Sequence, residues 1–202
     1  MTSIDEHSDR NIIRVQLRQN AVLKGINGEQ SAELEPHLSI LECNKGDVLL
    51  EQGVYEMHQY FVLDGILKRV VSNAEGHQMI LRFAAERDME TSYAAWKLGS
   101  RTPYSIVAVT KTRVAVLPMP QWEQFLARHE EIRRSFEYLV MQLMSDVMAH
   151  TITLHLLDAP GRYKRFVRRH PDLQERIPKK ELASYLNLSA ETLSRLKQRG
   201  KI

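Results

Sequence analysis

Glu191, Ser194 and Arg195 stand at i, i+3 and i+4, so on a helix they leave from one face near its N-terminal end. A guanidinium in that position can give two hydrogen bonds to guanine O6 and N7. A carboxylate beside it can accept from cytosine N4. Taken alone, the same residues also describe a capped surface helix with a Glu–Arg ion pair worth only about 0.3–0.5 kcal/mol. The charge distribution favours base reading. Residues 158–202 hold twelve Lys and Arg against five Asp and Glu, a net +7, and leave 16 basic against 20 acidic residues elsewhere. A basic end on a mildly acidic body is the footprint of a polyanion binder. Lys179, Lys180, Arg165, Arg169 and Lys197, with the hydroxyls of Ser189 and Thr192, are the expected DNA backbone contacts.

These residues need a scaffold. The segment IPKKELASYLNLSAETLSRLKQ divides into a helix at about Lys179–Leu186, a turn at Asn187-Leu188-Ser189 and a helix from Ala190. Ser189 is a good N-cap. Leu182, Ala183, Leu186, Leu188, Leu193 and Leu196 can form the small core that sets the two helices at an angle, the pattern of a helix-turn-helix. Before it, RYKRFVRRH reads as a helix broken by Pro171, and Asp158-Ala159-Pro160-Gly161 reads as a hinge.

Residues 121–157 read as one long helix. Phe136, Val140, Leu143, Val147, His150, Leu154 and Leu157 keep a 4-3-4-3-4-3 spacing, a heptad seam assigned to a homodimer interface. A second stripe, Met141, Met144, Met148 and Ile152, is left to pack on the rest of the chain. His150 in the seam would make dimerisation pH-sensitive if it carries charge.

Residues 1–120 carry short runs rich in Val, Ile, Leu and Phe, punctuated at Asn44-Lys45-Gly46-Asp47, Gly53, Asp64-Gly65 and Asn73-Ala74-Glu75-Gly76. They predict an antiparallel β-roll or barrel. Asp64-Gly65, between YFVL and ILKRV, is the signal of a hairpin. The fold class is thus α+β: a β-roll (1–120), a dimerisation helix (121–157) and a helix-turn-helix domain (158–202).

In this order the pieces resemble the Crp/Fnr family of bacterial transcription regulators over about 180 of the 202 residues. KGDVLLEQG (Lys45–Gly53) and YFVLDGILK (Tyr60–Lys68) are similar to the family's first roll strands. SAETLSR (Ser189–Arg195) is similar to its recognition helix, in a form closest to the Fnr branch. The resemblance implies a homodimer on an inverted repeat with TTGA-like half-sites. It also implies a cyclic-nucleotide-binding-like sensor, and a wing after the recognition helix. The sequence stops at Gly200-Lys201-Ile202, so either the chain belongs to a wingless branch or the sequence stops short of its wing.

Family members that bind cyclic AMP hold its ribose with a Glu and its phosphate with an Arg followed by Ser or Thr. The corresponding positions here read Ser92 and Tyr104-Ser105; a shifted match gives Arg101-Thr102, but Pro103 follows. Without a carboxylate and a well-placed Arg a buried phosphate lacks matched partners, so cyclic AMP is not expected. Ser92, Tyr93, Trp96, Arg101, Thr102 and Tyr104 remain a candidate pocket for an unidentified effector, although Tyr93 and Trp96 equally suit packing. Haem, through His77, Cys43, His58 or His150, is a lesser alternative.

Cys43 is the only cysteine. That excludes an internal disulfide, a thiolate-only zinc site and a four-cysteine iron–sulfur cluster. It is expected to be a small buried hydrophobe. No nucleophile–base set, phosphate-cradling glycine loop or metal-spaced cluster points to an enzyme. No cofactor or metal is expected. The polar N-terminus MTSIDEHSDR and the lack of a long apolar run give a cytoplasmic expectation without a membrane partner. The expected partners are double-stranded DNA, a second copy of the chain, RNA polymerase and a small-molecule effector. The competing reading is a cyclic-nucleotide-type module that docks another protein through its basic end.

Overall fold

The computed structural model describes residues 1–199; Gly200, Lys201 and Ile202, where a wing would start, lie outside the described residues. In chain order the strands are β1 (Thr2–Ser3), β2 (Ser39–Cys43), β3 (Val48–Leu50), β4 (His58–Asp64), β5 (Leu67–Ser72), β6 (Gln78–Ala84), β7 (Met89–Thr91), β8 (Ser105–Ala108) and β9 (Thr112–Pro118). They form two antiparallel sheets, ordered β1-β2-β9-β4-β7 and β3-β8-β5-β6. Helices α1 (Arg10–Gln19), α2 (Gly28–Leu34), α3 (Tyr93–Lys97), α4 (Met119–Arg128), α5 (Glu130–Leu156), α6 (Ala159–Arg169), α7 (Lys179–Tyr185) and α8 (Ala190–Gln198) complete the chain.

Both sheets are covered on both faces, which explains why β4 is an unbroken apolar run rather than an alternating one. Between the sheets lie Tyr60, Val62, Leu67, Ile106 and Val114. On the outer face of the first sheet Phe61, Leu63 and Leu117 meet Trp122, Phe125 and Phe136. On the second sheet Ile66, Val70, Ile80 and Phe83 meet Phe166, Leu182 and Tyr185 from the C-terminal domain. At about 1.5–3 kcal/mol for each large side chain buried, this third cluster docks the C-terminal domain firmly on the roll.

The α+β class and the roll agree with the sequence, and three local expectations do not. Asp64-Gly65 is not a hairpin: β4 and β5 enter different sheets, and the dipeptide makes the corner between them. Gly65 has φ +88°, and a Cβ there would lie 2.4 Å from the Lys111 carbonyl oxygen, so only glycine fits this crossing. The β5–β6 hairpin at Asn73–Gly76 does form, with Ser72 opposite Gln78. The long helix is two helices, interrupted at His129 (φ −128°, ψ 79°), and α4 packs Trp122, Phe125 and Leu126 into the roll. The expected hinge is the first turn of α6, where Asp158 accepts from the Gly161 N–H at 2.9 Å and Pro160 occupies a position that needs no donor. Helices α1 and α2 precede β2; α1 buries Ile13 and Leu17, one turn apart.

Candidate nucleic-acid interface

The turn between α7 and α8 is held by specific bonds. Asn187 takes φ +52°, a conformation its short polar side chain tolerates, and the Leu188 N–H closes on the Ala183 carbonyl at 2.9 Å. Ser189 caps α8, its hydroxyl accepting from the Thr192 N–H at 3.1 Å. Leu182, Ala183, Leu186 and Leu193 are buried between the helices, while Leu188 and Leu196 are half-buried. Arg162, which the sequence reading passed over, donates from Nη1 to the carbonyls of Leu186 (3.1 Å) and Asn187 (3.4 Å). It satisfies the C-terminal end of α7 and fixes the turn against α6.

Glu191 and Arg195 both lie exposed on α8 and form no ion pair with each other. The bland alternative of a Glu–Arg surface pair is therefore not what the structure contains. The backbone N–H of Glu191 itself and the Ser189 hydroxyl hold the Glu191 carboxyl below the usual carboxylate range, so it is an acceptor at neutral pH. Ser194 is half-buried and its hydroxyl donates to the Ala190 carbonyl at 2.8 Å, which occupies its proton but leaves its lone pairs.

The expected backbone contacts separate into two groups. Lys179 and Lys180 are exposed at the N-terminus of α7, and Lys179 is near enough to favour the charged form of Glu191. The Lys197 ammonium lies 5.6 Å from the centre of the Tyr163 ring. Ser189 and Thr192 are joined in the cap. Arg165 and Arg169 depart from expectation: they line a cleft facing the roll, and Arg169 is bound to Asp146 of α5. They share one face of α6 with Arg162, and that face turns inward over the second sheet.

The two apolar faces of α5 are exchanged relative to expectation. Phe136 is fully buried in the roll's own core, with Val140 and Leu143 packed against the same cluster. His150 is buried against Tyr185. Val147 and Leu154 are half-buried, and Leu157 is exposed beyond the helix end. The exposed apolar stripe is instead Met141, Met144, Met148 and Ile152, each at least 50% accessible, with Tyr138 beside it. The heptad spacing marked a buried face correctly but not the surface that buries it. Within the chain the roll takes Phe136, Val140 and Leu143, and Tyr185 of the C-terminal domain takes His150.

The candidate effector residues do not gather around an open pocket. Ser92 and Thr102 are buried and bonded to each other at 3.0 Å. The Tyr93 hydroxyl donates to Glu137 at 3.2 Å and its ring packs on Phe136, while the Trp96 N–H donates to Glu123; both side chains tie α3 to α4 and α5. Arg101 lies exposed over the Tyr55 ring at 5.2 Å. The Tyr104 hydroxyl donates to the Thr91 carbonyl at 2.7 Å, and the Arg69 guanidinium sits 4.2 Å from its ring centre.

Arg69 in turn donates to Glu90 at 2.6 and 3.0 Å, and both are almost fully buried. Arg82 reaches the other Glu90 oxygen at 2.7 Å, a charge contact without hydrogen-bond alignment, and also binds Asp88. The chain's own ions thus occupy the ground beside Ser92 and Tyr104. Neither Arg69 nor Glu90 was singled out, because a charge in a strand pattern reads as solvent-facing until both faces are known to be covered.

His77 is exposed in the β5–β6 turn, His58 is on β4, His150 is on α5, and Cys43 is buried at the end of β2 with its thiol pushed up to about 11 by burial. These possible ligands stand at four separate places. Among the described residues no group of three or more His, Cys, Asp or Glu could hold a metal ion. Among the described residues no helix is long and apolar enough to cross a membrane.

Comparison with known proteins bears on the whole arrangement. Residues 40–129 match the cyclic nucleotide-binding domain. No curated protein matches the chain by sequence. Among solved structures, the chain is similar to CLP of Xanthomonas campestris, a c-di-GMP-responsive global regulator, with TM-score 0.71 and 14% identity over 86% of this chain and 92% of that one. It is similar to FixK2 of Bradyrhizobium japonicum, with TM-score 0.70 and 17% identity over 81% of this chain and 86% of that one. The catabolite activator protein of Thermus thermophilus aligns with TM-score 0.57 and 17% identity over 90% and 88%. At these identities the likeness is one of fold.

Proposed function

We propose that this chain is a Crp/Fnr-type transcription regulator that binds DNA as a homodimer and presents the N-terminal half of α8 to the major groove. The observation that carries this reading is the pairing of a capped, bonded α7–α8 turn with Glu191 and Arg195 on the exposed face of α8, neither in an ion pair among the described residues. Arg195 reads a guanine, Glu191 accepts from a cytosine, and Lys179 and Lys180 meet phosphates. The target is an inverted repeat with TTGA-like half-sites, one for each protomer. The second protomer packs along Met141, Met144, Met148 and Ile152, an apolar stripe on α5 that a soluble monomer would not leave open. The protein acts in the cytoplasm without catalysis, and passes its signal to RNA polymerase.

The buried Arg69–Glu90–Arg82 network argues against cyclic AMP as the signal, since a phosphate entering there would have to displace satisfied ion pairs. Selection of duplexes from a random pool tests the main reading. Enrichment of an inverted repeat, bound in a salt-dependent manner, supports it. Recovery of no common sequence overturns it in favour of a module that docks a protein.

A further inference from the structure

A cleft of about 910 Å3 separates the second sheet and α5 from the C-terminal domain. Its size is that of a pocket that encloses a whole small molecule. All three parts of the chain wall it: Arg82 and Phe83 from β6, Leu143 and His150 from α5, and Arg165 and Phe166 from α6. Six arginines line it against four carboxylates, so its charge is positive.

Most of those arginines are already committed. Arg82 is bound to Asp88 and Glu90, Arg169 to Asp146, Arg176 to Glu86, and Arg162 to backbone carbonyls. Arg87 and Arg165 make no ion pair among the described residues; Arg87 is exposed, whereas Arg165 is only half-exposed, and it is the guanidinium held within the cleft. On the facing wall His150 is 9% accessible, and its buried Nε2 has no hydrogen-bond partner among the described residues. A buried polar atom left without a partner calls for an unplaced group to fill it. Here the empty partner position and the uncommitted guanidinium belong to one cleft, beside apolar side chains.

We infer that the cleft binds an organic anion, its oxyanion head held by Arg165 and His150 Nε2 and its apolar body laid against Leu143 and Phe166. A guanidinium fork fits a phosphate or a carboxylate, and the neutral imidazole adds one directed donor in the tautomer that carries its proton on Nε2. Such a ligand touches the roll, the long helix and the DNA-reading domain together, and so reports to α8 through the α6–Arg162 contact. The site lies outside the roll's interior, and it stands or falls by a binding measurement that involves no DNA.

Calorimetry of the full chain with phenyl phosphate, benzoate and inorganic phosphate tests it. The expected result is saturable binding of phenyl phosphate or benzoate at one site per chain, tighter than inorganic phosphate. The tighter of the two organic probes identifies the head group. Arg165→Ala weakens that binding at least about tenfold, the loss of one charge-assisted hydrogen bond. His150→Phe, which keeps the stack on Tyr185, weakens it as well, and Arg101→Ala leaves it unchanged. Arg165→Gln, close in size and uncharged, repeats the test if the alanine variant folds poorly. The inference is overturned by no saturable binding of either organic anion, by an affinity indifferent to Arg165, or by inorganic phosphate binding as tightly as phenyl phosphate.

Discussion

The imidazole of His150 lies flat on the ring of Tyr185, their centres 3.8 Å apart and their planes 4° from parallel. One residue belongs to the long helix α5 and the other to α7, so the stack joins the long helix to the C-terminal domain. Burial holds His150 down to about pKa 4, with smaller contributions of the same sign from His170 and Arg165, against an opposing pull from the Tyr185 backbone.

The sign of the pH effect follows. Below its ordinary pKa of 6.5 the unfolded His150 takes a proton that the folded one refuses, so stability is full above about pH 6.5 and declines as the pH falls toward 4. At most about 3 kcal/mol is lost across that window. Urea melts of the wild type and of His150→Phe at pH 7 and pH 4.5 check this. The variant should lose less stability between the two, and equal losses would show that the stack does not titrate.

Glu90 accepts from Arg69 in the roll interior and meets Arg82 there. Replacing it with alanine strands buried arginine charge and should cost about 3–5 kcal/mol. The double change Arg69→Met with Glu90→Leu removes both charges and should cost less than Glu90→Ala alone. Chemical denaturation measures both, and a more costly double variant would mean that the ions, rather than their pairing, carry the roll.

The exchange of faces on α5 separates folding from assembly. Phe136→Ala empties a fully buried site and should destabilise each chain by about 3–5 kcal/mol. Met148→Glu places a charge in the exposed stripe, so it should leave the melting of the chain nearly unchanged while shifting sedimentation from dimer to monomer. A dimer unaffected by Met148→Glu would place the second protomer elsewhere.

At the DNA surface, Arg195→Ala should lose about 1–3 kcal/mol on the selected inverted repeat and relax the preference at one base pair. Lys179→Ala should instead lower affinity for all sequences and reduce the salt slope by about one. Fluorescence anisotropy on specific and scrambled duplexes distinguishes them. Equal loss on both duplexes would make Arg195 a phosphate contact.

How far the sequence carried the site depended on how local each feature is. The α7–α8 unit was legible almost to the residue, because the cap at Ser189, the turn at Asn187 and the leucine spacing act within twenty residues of one another. The Asp64-Gly65 corner misled because its glycine answers to Lys111 and Thr112, far along the chain, rather than to a turn between neighbouring strands. Arg165 and Arg169 looked like part of one basic surface, and only the docking of α6 over the second sheet turned them into a cleft.

By itself, then, the sequence determined the α+β order of the chain, the capped helix that carries Glu191 and Arg195 on one face, and the presence of two apolar faces on the long helix. Local periodicity, capping and charge are sufficient for these. Which face of that helix is spent inside the chain, which strands share a sheet, and that Arg69 and Glu90 close the roll interior were decided by tertiary structure. Each depends on what lies opposite a side chain, and a residue's own neighbours in sequence do not contain that information.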